Sequence, residues 1–277
     1  ERADLEVSEI WVALGRLHYN ARRLEDARAA YDEALEIRRR RVESSPDQLV
    51  WRERLAAAYF RAGEPDVLTG DLDRAIASYQ SALQIDAELT RLAPHNRDHA
   101  HSLMGDHSNL AEVYSVAKEY PRALEHLGSA IQIGERLVEA DPLDVRALRS
   151  IGILAGQHAD LLLDLGRFEE GMASASRALN VRKQLAASDP EDARARREVG
   201  VSHFFIAAAW LERAEDLTEP AARREAYRNA EPSLQSSRAL FLAMQDDGSL
   251  QGRDAGVLDD IREMLAAVAQ GLGTDRP

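Results

Sequence analysis

Four histidines with two nearby carboxylates are the residues of this sequence best suited to chemistry. The set comprises His95, His99, His101, His107, Asp98 and Asp106. Imidazole is a good ligand for zinc or nickel, but His99 and His101 on one helix would point about 160° apart. Only His95 and His99 have the i, i+4 spacing that places two ligands on one helix face. We therefore expect no metal and no cofactor, and interpret the cluster as a solvated helix start with some packed imidazoles; metal binding is the alternative.

The sequence carries no recognised catalytic signature. It has no phosphate-binding loop, dinucleotide glycine fingerprint or zinc-protease motif, and no nucleophile elbow or kinase catalytic loop. It also has no cysteine, which excludes disulfides and thiol catalysis. We therefore predict that this chain is not an enzyme.

Charge and hydropathy exclude two classes of partner. The formal net charge is −13 and the isoelectric point is about 5.1, so phosphate backbones and anionic membrane surfaces are repelled. The longest apolar run, Phe204 to Leu211, is eight residues, whereas a membrane span needs about 20. We expect a soluble chain that binds neither nucleic acid nor a bilayer. A cytoplasmic location is favoured, and an extracytoplasmic domain of a membrane-anchored parent is the alternative.

An internal repeat organises the chain. Four prolines are each separated by 48 residues: Pro46, Pro94, Pro142 and Pro190. Apolar and small residues keep the same step, for example in the column Ala34, Ala82, Ala130 and Ala178. Within a unit, apolar residues from Leu24 to about Ser44 recur at i, i+3, i+4 and i+7, which predicts an amphipathic helix. A proline then ends the helix and suits the first turn of the next one.

These signals predict an all-α protein, a right-handed α-solenoid of stacked antiparallel helix hairpins with a C-terminal capping helix. One hairpin cannot bury its apolar face alone, whereas stacked neighbours can. We expect a single solenoid domain over residues 1–277, with units at about 1–45, 46–93, 94–141, 142–189 and 190–248. The capping helix is expected at 253–272, with Asp254 as a fair N-cap. Pro65 is expected to end or kink its helix near Gly63, and Pro232 to interrupt the second helix of the fifth unit.

The repeat also assigns roles to single residues. His107 and His203 share the column of Trp11 and Tyr59, so we expect them to pack between helices. His158 replaces a core leucine and is expected to be hydrogen-bonded, with a role as a pH switch as the alternative. Gly152 and Gly156 are interpreted as a close helix crossing.

The repeat columns resemble the tetratricopeptide repeat. The first unit carries the resemblance in Trp11, Leu14, Gly15, Ala27, Tyr31, Ala34 and Pro46. The usual unit of that family is 34 residues, so this chain resembles a long variant. The resemblance covers roughly residues 3 to 246. It implies a non-enzymatic scaffold that binds a protein or peptide on its concave face.

The resemblance also implies which residues face that partner, because one stripe of each first helix lines the concave face in such arrays. Carried onto this sequence, the candidate binding residues are Val12, Arg16, Tyr19, Asn20, Phe60, Glu64, Ser108, Glu112, Asp160 and Phe204. Ser115, Gly156 and Ala208 fall on the same stripe. After Arg16 and Asn20 the stripe becomes neutral or acidic, which argues against a carboxylate clamp and favours a basic or amphipathic partner. The alternative is that Phe60 and Phe204 only pack against neighbouring helices.

A second resemblance is narrower. The segment from Leu55 to Gly63, with Gly70-Asp71-Leu72 and the stretch from Ala75 to Tyr79, looks like the region after the kinase domain of bacterial eukaryotic-type serine/threonine kinases. The chain begins at Glu1 without Met, so we expect a segment of a longer protein. The alternative function is therefore the sensory or substrate-recruiting region of such a kinase. Oligomeric state and partner identity stay open.

Overall fold

The computed structural model describes residues 2–250, 252–254 and 256–273, and these residues form helices and turns without a strand. The helices are α1 (Arg2–Asn20), α2 (Leu24–Ser44), α3 (Leu49–Thr69), α4 (Leu72–Leu92), α5 (Arg97–Val116), α6 (Tyr120–Ala140), α7 (Val145–Asp164), α8 (Phe168–Ser188), α9 (Ala193–Asp216), α10 (Pro220–Asp246) and α11 (Val257–Leu272). A short 3₁₀ turn at Gly252–Asp254 precedes α11. The predicted all-α class of stacked helix hairpins is confirmed.

The turns inside the first four hairpins share a left-handed residue. Each includes a residue with a left-handed backbone: Arg22, Gly70, Lys118 and Gly166, at φ between 58° and 82°. In three of them the next N–H reaches back to a carbonyl five residues earlier, as from Arg23 to His18, which satisfies an orphan carbonyl at the helix end. The second helices then begin at Leu24, Leu72, Tyr120 and Phe168, at the step that the sequence predicted.

Two compact units divide between Leu143 and Asp144. The first has a core in which α1 to α4 meet, and its fully buried members include Ala27, Tyr31 and Ala62. The second has a core built from α9, α10 and α11, which buries Phe241 and Ile261. A further cluster joins α8 to α9 in that second unit. The single-domain interpretation of the whole chain stays a prediction.

Pro65 was expected to end or kink α3 near Gly63; an end there is wrong, because the helix continues to Thr69, and the kink stays a prediction. An internal proline costs about 3 kcal/mol because it leaves the carbonyl four residues earlier without its N–H partner, and a side chain from α2 contacts the helix on either side of the proline. Arg28 Nη1 donates to the Ala62 carbonyl oxygen at 2.8 Å and to the Asp66 carboxylate. Arg28 therefore clamps the helix on both sides of the proline. The helix ends only at Gly70, whose left-handed backbone forms the C-cap.

Pro232 does not interrupt its helix either, because α10 continues from Pro220 to Asp246. Ala230 and Leu234, on either side of the proline, are both fully buried in the core of the second unit. Packing on both sides thus keeps the segment helical.

The capping helix forms, but its predicted start at 253 is wrong. α11 begins at Val257 and has Gly256 as its N-cap. Asp254 is buried in the preceding 3₁₀ turn, where its two carboxylate oxygens accept hydrogen bonds from Arg197 at 2.6 to 2.9 Å. The carboxylate therefore pairs with α9 and does not cap α11. Ile261 and Val268 of α11 are buried in the core of the second unit.

Candidate functional site

Four of the ten candidate residues come together in the first unit. Tyr19, Phe60, Glu64 and Glu112 line a pocket of about 170 Å³, which we call the unit-1 pocket. The remaining lining residues are Val67, Leu68, Tyr79, Asn109 and Val113. The pocket lies between α3 and α5, with Tyr19 supplied by α1 and Tyr79 by α4.

Aromatic rings form one wall of the unit-1 pocket. The Phe60 and Tyr79 rings stack with their centroids 6.0 Å apart. Tyr79 is 4% exposed, and its ring lies over Gly63, where a Cβ would fall 2.5 Å from Tyr79 Cε1. The glycine therefore makes room for the ring. Burial, reinforced by Glu64 and Glu112, raises the pKa of Tyr79, so its hydroxyl stays protonated.

The two carboxylates of the unit-1 pocket differ in their partners. Both oxygens of Glu64 accept hydrogen bonds from Arg61 Nη1 at 3.1 Å, and the Arg61 guanidinium lies 5.0 Å from the Phe60 ring centroid. Glu112 is exposed, and among the described residues no basic group lies within 4.0 Å of it. The pocket therefore has one carboxylate neutralised by a neighbouring arginine and a second one that is not.

The other candidate residues lie elsewhere. Val12 packs against the core of the first unit, Arg16 and Asn20 are exposed beyond the pocket lining, and Ser108 is half-buried. In the second unit, Asp160 lines a different pocket. Phe204 packs against the core formed by α9 to α11, as the alternative interpretation of that residue expected.

A second pocket, of about 240 Å³, lies among α7, α8 and α9, and we call it the unit-2 pocket. Its lining residues are Ile153, Gly156, Gln157, Ala159, Asp160, Ala175, Ala178, Arg182, Val201, Ser202 and Phe205. Ala159 and Ala175 stand 96 residues after Gly63 and Tyr79. The aromatic ring of the earlier repeat is thus replaced by a methyl group, which leaves open space.

Sequence reasoning missed the exposed apolar residues of this pocket. Phe205 is 58% exposed and Ile153 is 50% exposed, whereas the predicted Phe204 is half-buried against the core of α9 to α11. A signal was available in the repeat, because Phe205 stands in the column that holds Asn109 and Gln157. An apolar residue in a polar column indicates a surface residue.

Arg182 was also missed, and it corrects the interpretation of two glycines. A Cβ on Gly152 or Gly156 would meet the Arg182 side chain at 3.4 Å, so this side chain, and not another helix backbone, fills the space above them. Arg182 Nη1 donates to Ser202 Oγ at 2.6 Å. Burial lowers the pKa of Arg182, although an arginine stays protonated in proteins.

The clustered histidines have separate partners. His99 Nε2 lies 2.8 Å from Glu53 Oε1 and 3.1 Å from Asn96 Nδ2. His107 Nδ1 lies 2.9 Å from His126 Nδ1 of the neighbouring α6. Burial, then the charge of His126, lowers the pKa of His107 to about 4, so this ring is neutral at physiological pH. Within the described part of the chain, no three His, Asp or Glu side chains are grouped to hold a metal ion.

Two other histidines behave as their columns predict. His203 is buried on α9, and burial lowers its pKa. His158 Nδ1 lies 2.7 Å from Ser174 Oγ, which confirms a hydrogen-bonded histidine between α7 and α8. Neither lies in the lining of a pocket described above.

A buried acid pair lies outside both pockets. Asp86 on α4 and Asp106 on α5 are close enough for each to shift the pKa of the other, and both are almost fully buried. Burial, then the charge of Asp86, raises the pKa of Asp106 to about 9. Asp106 therefore holds a proton at neutral pH.

Two segments match the family model described as a tetratricopeptide repeat. They are residues 6–67 and residues 108–144. The first includes the helix hairpin in which the resemblance was noted, and the second includes Ser108 and Glu112 from the predicted stripe. These two segments are similar to tetratricopeptide repeats over about a third of the chain, and none of the matches indicates an enzyme family. No curated protein matches the sequence.

Solved structures agree on the fold. A Podosopora anserina protein with nearly identical TPR-like repeats has a TM-score of 0.54 at 16% identity, with 86% of this chain and 96% of that chain covered. BtubC from P. vanneervenii has a TM-score of 0.50 at 16% identity, covering 92% and 94%. The apo form of RapI has a TM-score of 0.51 at 13% identity, covering 98% and 85%. At such identities the likeness concerns the fold alone.

None of the helices in the described ranges is long and apolar enough to cross a bilayer.

Proposed function

We propose that this chain is a non-enzymatic interaction module that binds a protein or peptide through the surface of its first helices. Tetratricopeptide-like proteins generally mediate contacts between proteins. The observation that carries the proposal is the unit-1 pocket, in which Tyr19, Phe60, Glu64 and Glu112 converge. A concave pocket with aromatic walls and a few charged groups is the usual form of a recognition site.

The partner is proposed to be basic or amphipathic. The net charge of −13 favours cationic partners at long range. Glu112 supplies an unneutralised carboxylate in the first unit. In the second unit, exposed Ile153 and Phe205 supply apolar surface of the kind that marks interaction sites.

The test is selection of a random twelve-residue peptide library against the purified protein. We expect enrichment of basic and amphipathic sequences, with affinities in the micromolar range that fall as salt is raised. The variant Glu112→Lys should weaken the selected peptides at least about tenfold, because it replaces attraction by repulsion. Affinity is measured by fluorescence anisotropy.

The matched control is Glu33→Lys, which makes the same change at an exposed glutamate of α2. Peptide affinity should be unaltered by this variant beyond a small change from net charge. If no sequence is enriched, or if Glu33→Lys and Glu112→Lys weaken binding equally, the proposed surface is wrong.

A narrower proposal is that the module recruits substrates or senses signals for a bacterial serine/threonine kinase, in the cytoplasm or outside it. Only the resemblance around Leu55 to Gly63 supports this proposal. The sequence of the whole parent gene decides it, because a kinase domain in the same gene would support it and a gene without one would exclude it.

A further inference from the structure

We propose that the unit-1 pocket accepts one cationic side chain of the partner, a lysine or an arginine, with its charge beside Glu112 and its stem against Tyr19 and Phe60. The proposal rests on the proposed function and names the chemistry of its main contact. Its basis is the combination of an aromatic wall, an unneutralised carboxylate and an open cavity in one place.

The aromatic wall suits a cation because aromatic faces carry negative electrostatic potential. The protein already displays this contact, since the Arg61 guanidinium lies 5.0 Å from the Phe60 ring centroid and forks onto Glu64. Arg61 satisfies Glu64 only. A ligand could therefore contact the other polar side chains of the lining, which are those of Tyr19, Asn109 and Glu112.

The distribution of charge separates this pocket from its surroundings. Burial, then the charges of Glu64 and Glu112, raises the pKa of the Tyr79 hydroxyl, and Tyr19 and Asp66 add to the effect. Arg61 and Arg16 act on Tyr31 in the preceding hairpin, where burial and then Glu64 outweigh them and raise the pKa of that hydroxyl to about 12.

Asp66 is itself paired with Arg28, and Arg74 also lies within 4.0 Å of it. Glu112 is therefore the pocket's uncompensated charge.

The carboxylates of the pocket exclude anionic occupants, because a carboxylate or phosphate would meet Glu64 and Glu112 without a free cation among the lining residues. A purely apolar side chain would leave Glu112 unpaired and partly desolvated, which is unfavourable. A lysine or arginine satisfies the carboxylate and covers the rings with its hydrocarbon stem.

The test is a titration of the full chain with N-acetyl-arginine amide and N-acetyl-lysine amide, followed by amide NMR shifts. Neutral N-acetyl-norleucine amide is the matched probe, since it has a similar stem and no charge. We expect saturable shifts of amides at Asn109 and Val113 with the cationic probes, and at least about threefold weaker binding of norleucine. The variant Glu112→Gln should weaken the cationic probes about threefold, whereas Glu33→Gln should leave them unchanged.

The variant Phe60→Leu tests the contribution of the aromatic ring, because it keeps an apolar side chain and removes the ring. It should weaken both cationic probes and leave norleucine unaltered. Equal binding of norleucine and the cationic probes, or full affinity in Glu112→Gln, would overturn the inference. Peptides that bind in the library selection without any dependence on Glu112 would overturn it while leaving the proposed function intact. Cationic probes that bind while no peptide does would remove the proposed function and leave the pocket chemistry standing.

Discussion

At the scale of single residues, the buried pair Asp86 and Asp106 is the least expected feature of the molecule. In the sequence, Asp106 is prominent only as a neighbour of the histidines, and nothing links it to Asp86. The link requires the packing of α4 against α5, which brings two carboxyl groups into one buried space. Two carboxylates that share a proton make stability depend on pH.

The variant Asp106→Asn should become more stable than the natural chain as the pH rises. The folded-state pKa of about 9 exceeds the unfolded value of about 3.9, so the folded state binds the proton more tightly. This tighter proton binding contributes its full amount to the free energy of unfolding below about pH 4. The contribution is lost as the pH rises towards 9. The side-chain amide of asparagine can donate a hydrogen bond to Asp86, and it does not titrate. Urea unfolding should show a gain of about 1 to 3 kcal/mol at pH 8 relative to pH 4.

The control for that experiment is Glu33→Gln, which removes an exposed carboxylate of α2. Its stability relative to the natural chain should be flat over the same pH range. A flat difference for Asp106→Asn as well would mean that the pair is hydrated or separated in solution.

At the scale of helices, the crossings in the first two hairpins depend on a glycine under a tyrosine ring. Gly15 lies under Tyr31 and Gly63 lies under Tyr79, at the same spacing in both repeats. The 48-residue step places Gly15 and Gly63 at equivalent positions of two repeats, where small residues let neighbouring elements approach. The repeat step could not predict that a side chain, and not a backbone, takes the space.

Gly63→Ala should destabilise the protein by about 1 to 3 kcal/mol, because the added Cβ meets the buried Tyr79 ring. Gly105→Ala on α5 is the matched control, since a Cβ there meets nothing within 4 Å. It should raise the free energy of unfolding by up to about 1 kcal/mol through helix propensity. Urea unfolding measures the free energy of unfolding of both variants and so separates the steric clash from the gain in helix propensity. A rise for Gly63→Ala would show that the ring can move aside.

At the scale of the whole molecule, the sequence predicts the hairpins better than the site. Helix bounds follow from the repeat because periodic apolar positions and turn residues are local signals. The binding site depends on which of the candidate residues on the first helices are exposed. Their exposure is set by tertiary packing, which the sequence does not show. Phe204 and Phe205 are adjacent in sequence, yet Phe204 is half-buried against the core and Phe205 is exposed. The helix clamp around Pro65 was likewise hidden, since Arg28 belongs to another hairpin.

The division between Leu143 and Asp144 yields a prediction at this scale. Separate fragments of residues 1–143 and 144–277 should each be helical and unfold cooperatively, because each contains its own buried cluster. Far-UV circular dichroism during urea unfolding measures both properties. Fragments cut at residue 118 should lose helix content, because that cut separates α5 from its hairpin partner α6. If the fragments divided at 143 are unfolded, the single-domain interpretation from the sequence is correct.

The left-handed residues Arg22, Gly70, Lys118 and Gly166 also bear on how such a gene can change. They are spaced by 48 residues, and two of them are not glycine, although that backbone costs a non-glycine residue about 1 to 2 kcal/mol. The DNA between two of these codons encodes a segment that begins and ends at equivalent turns. Unequal recombination there would add or remove one complete hairpin-length block in frame, so the chain can grow or shrink in whole repeats.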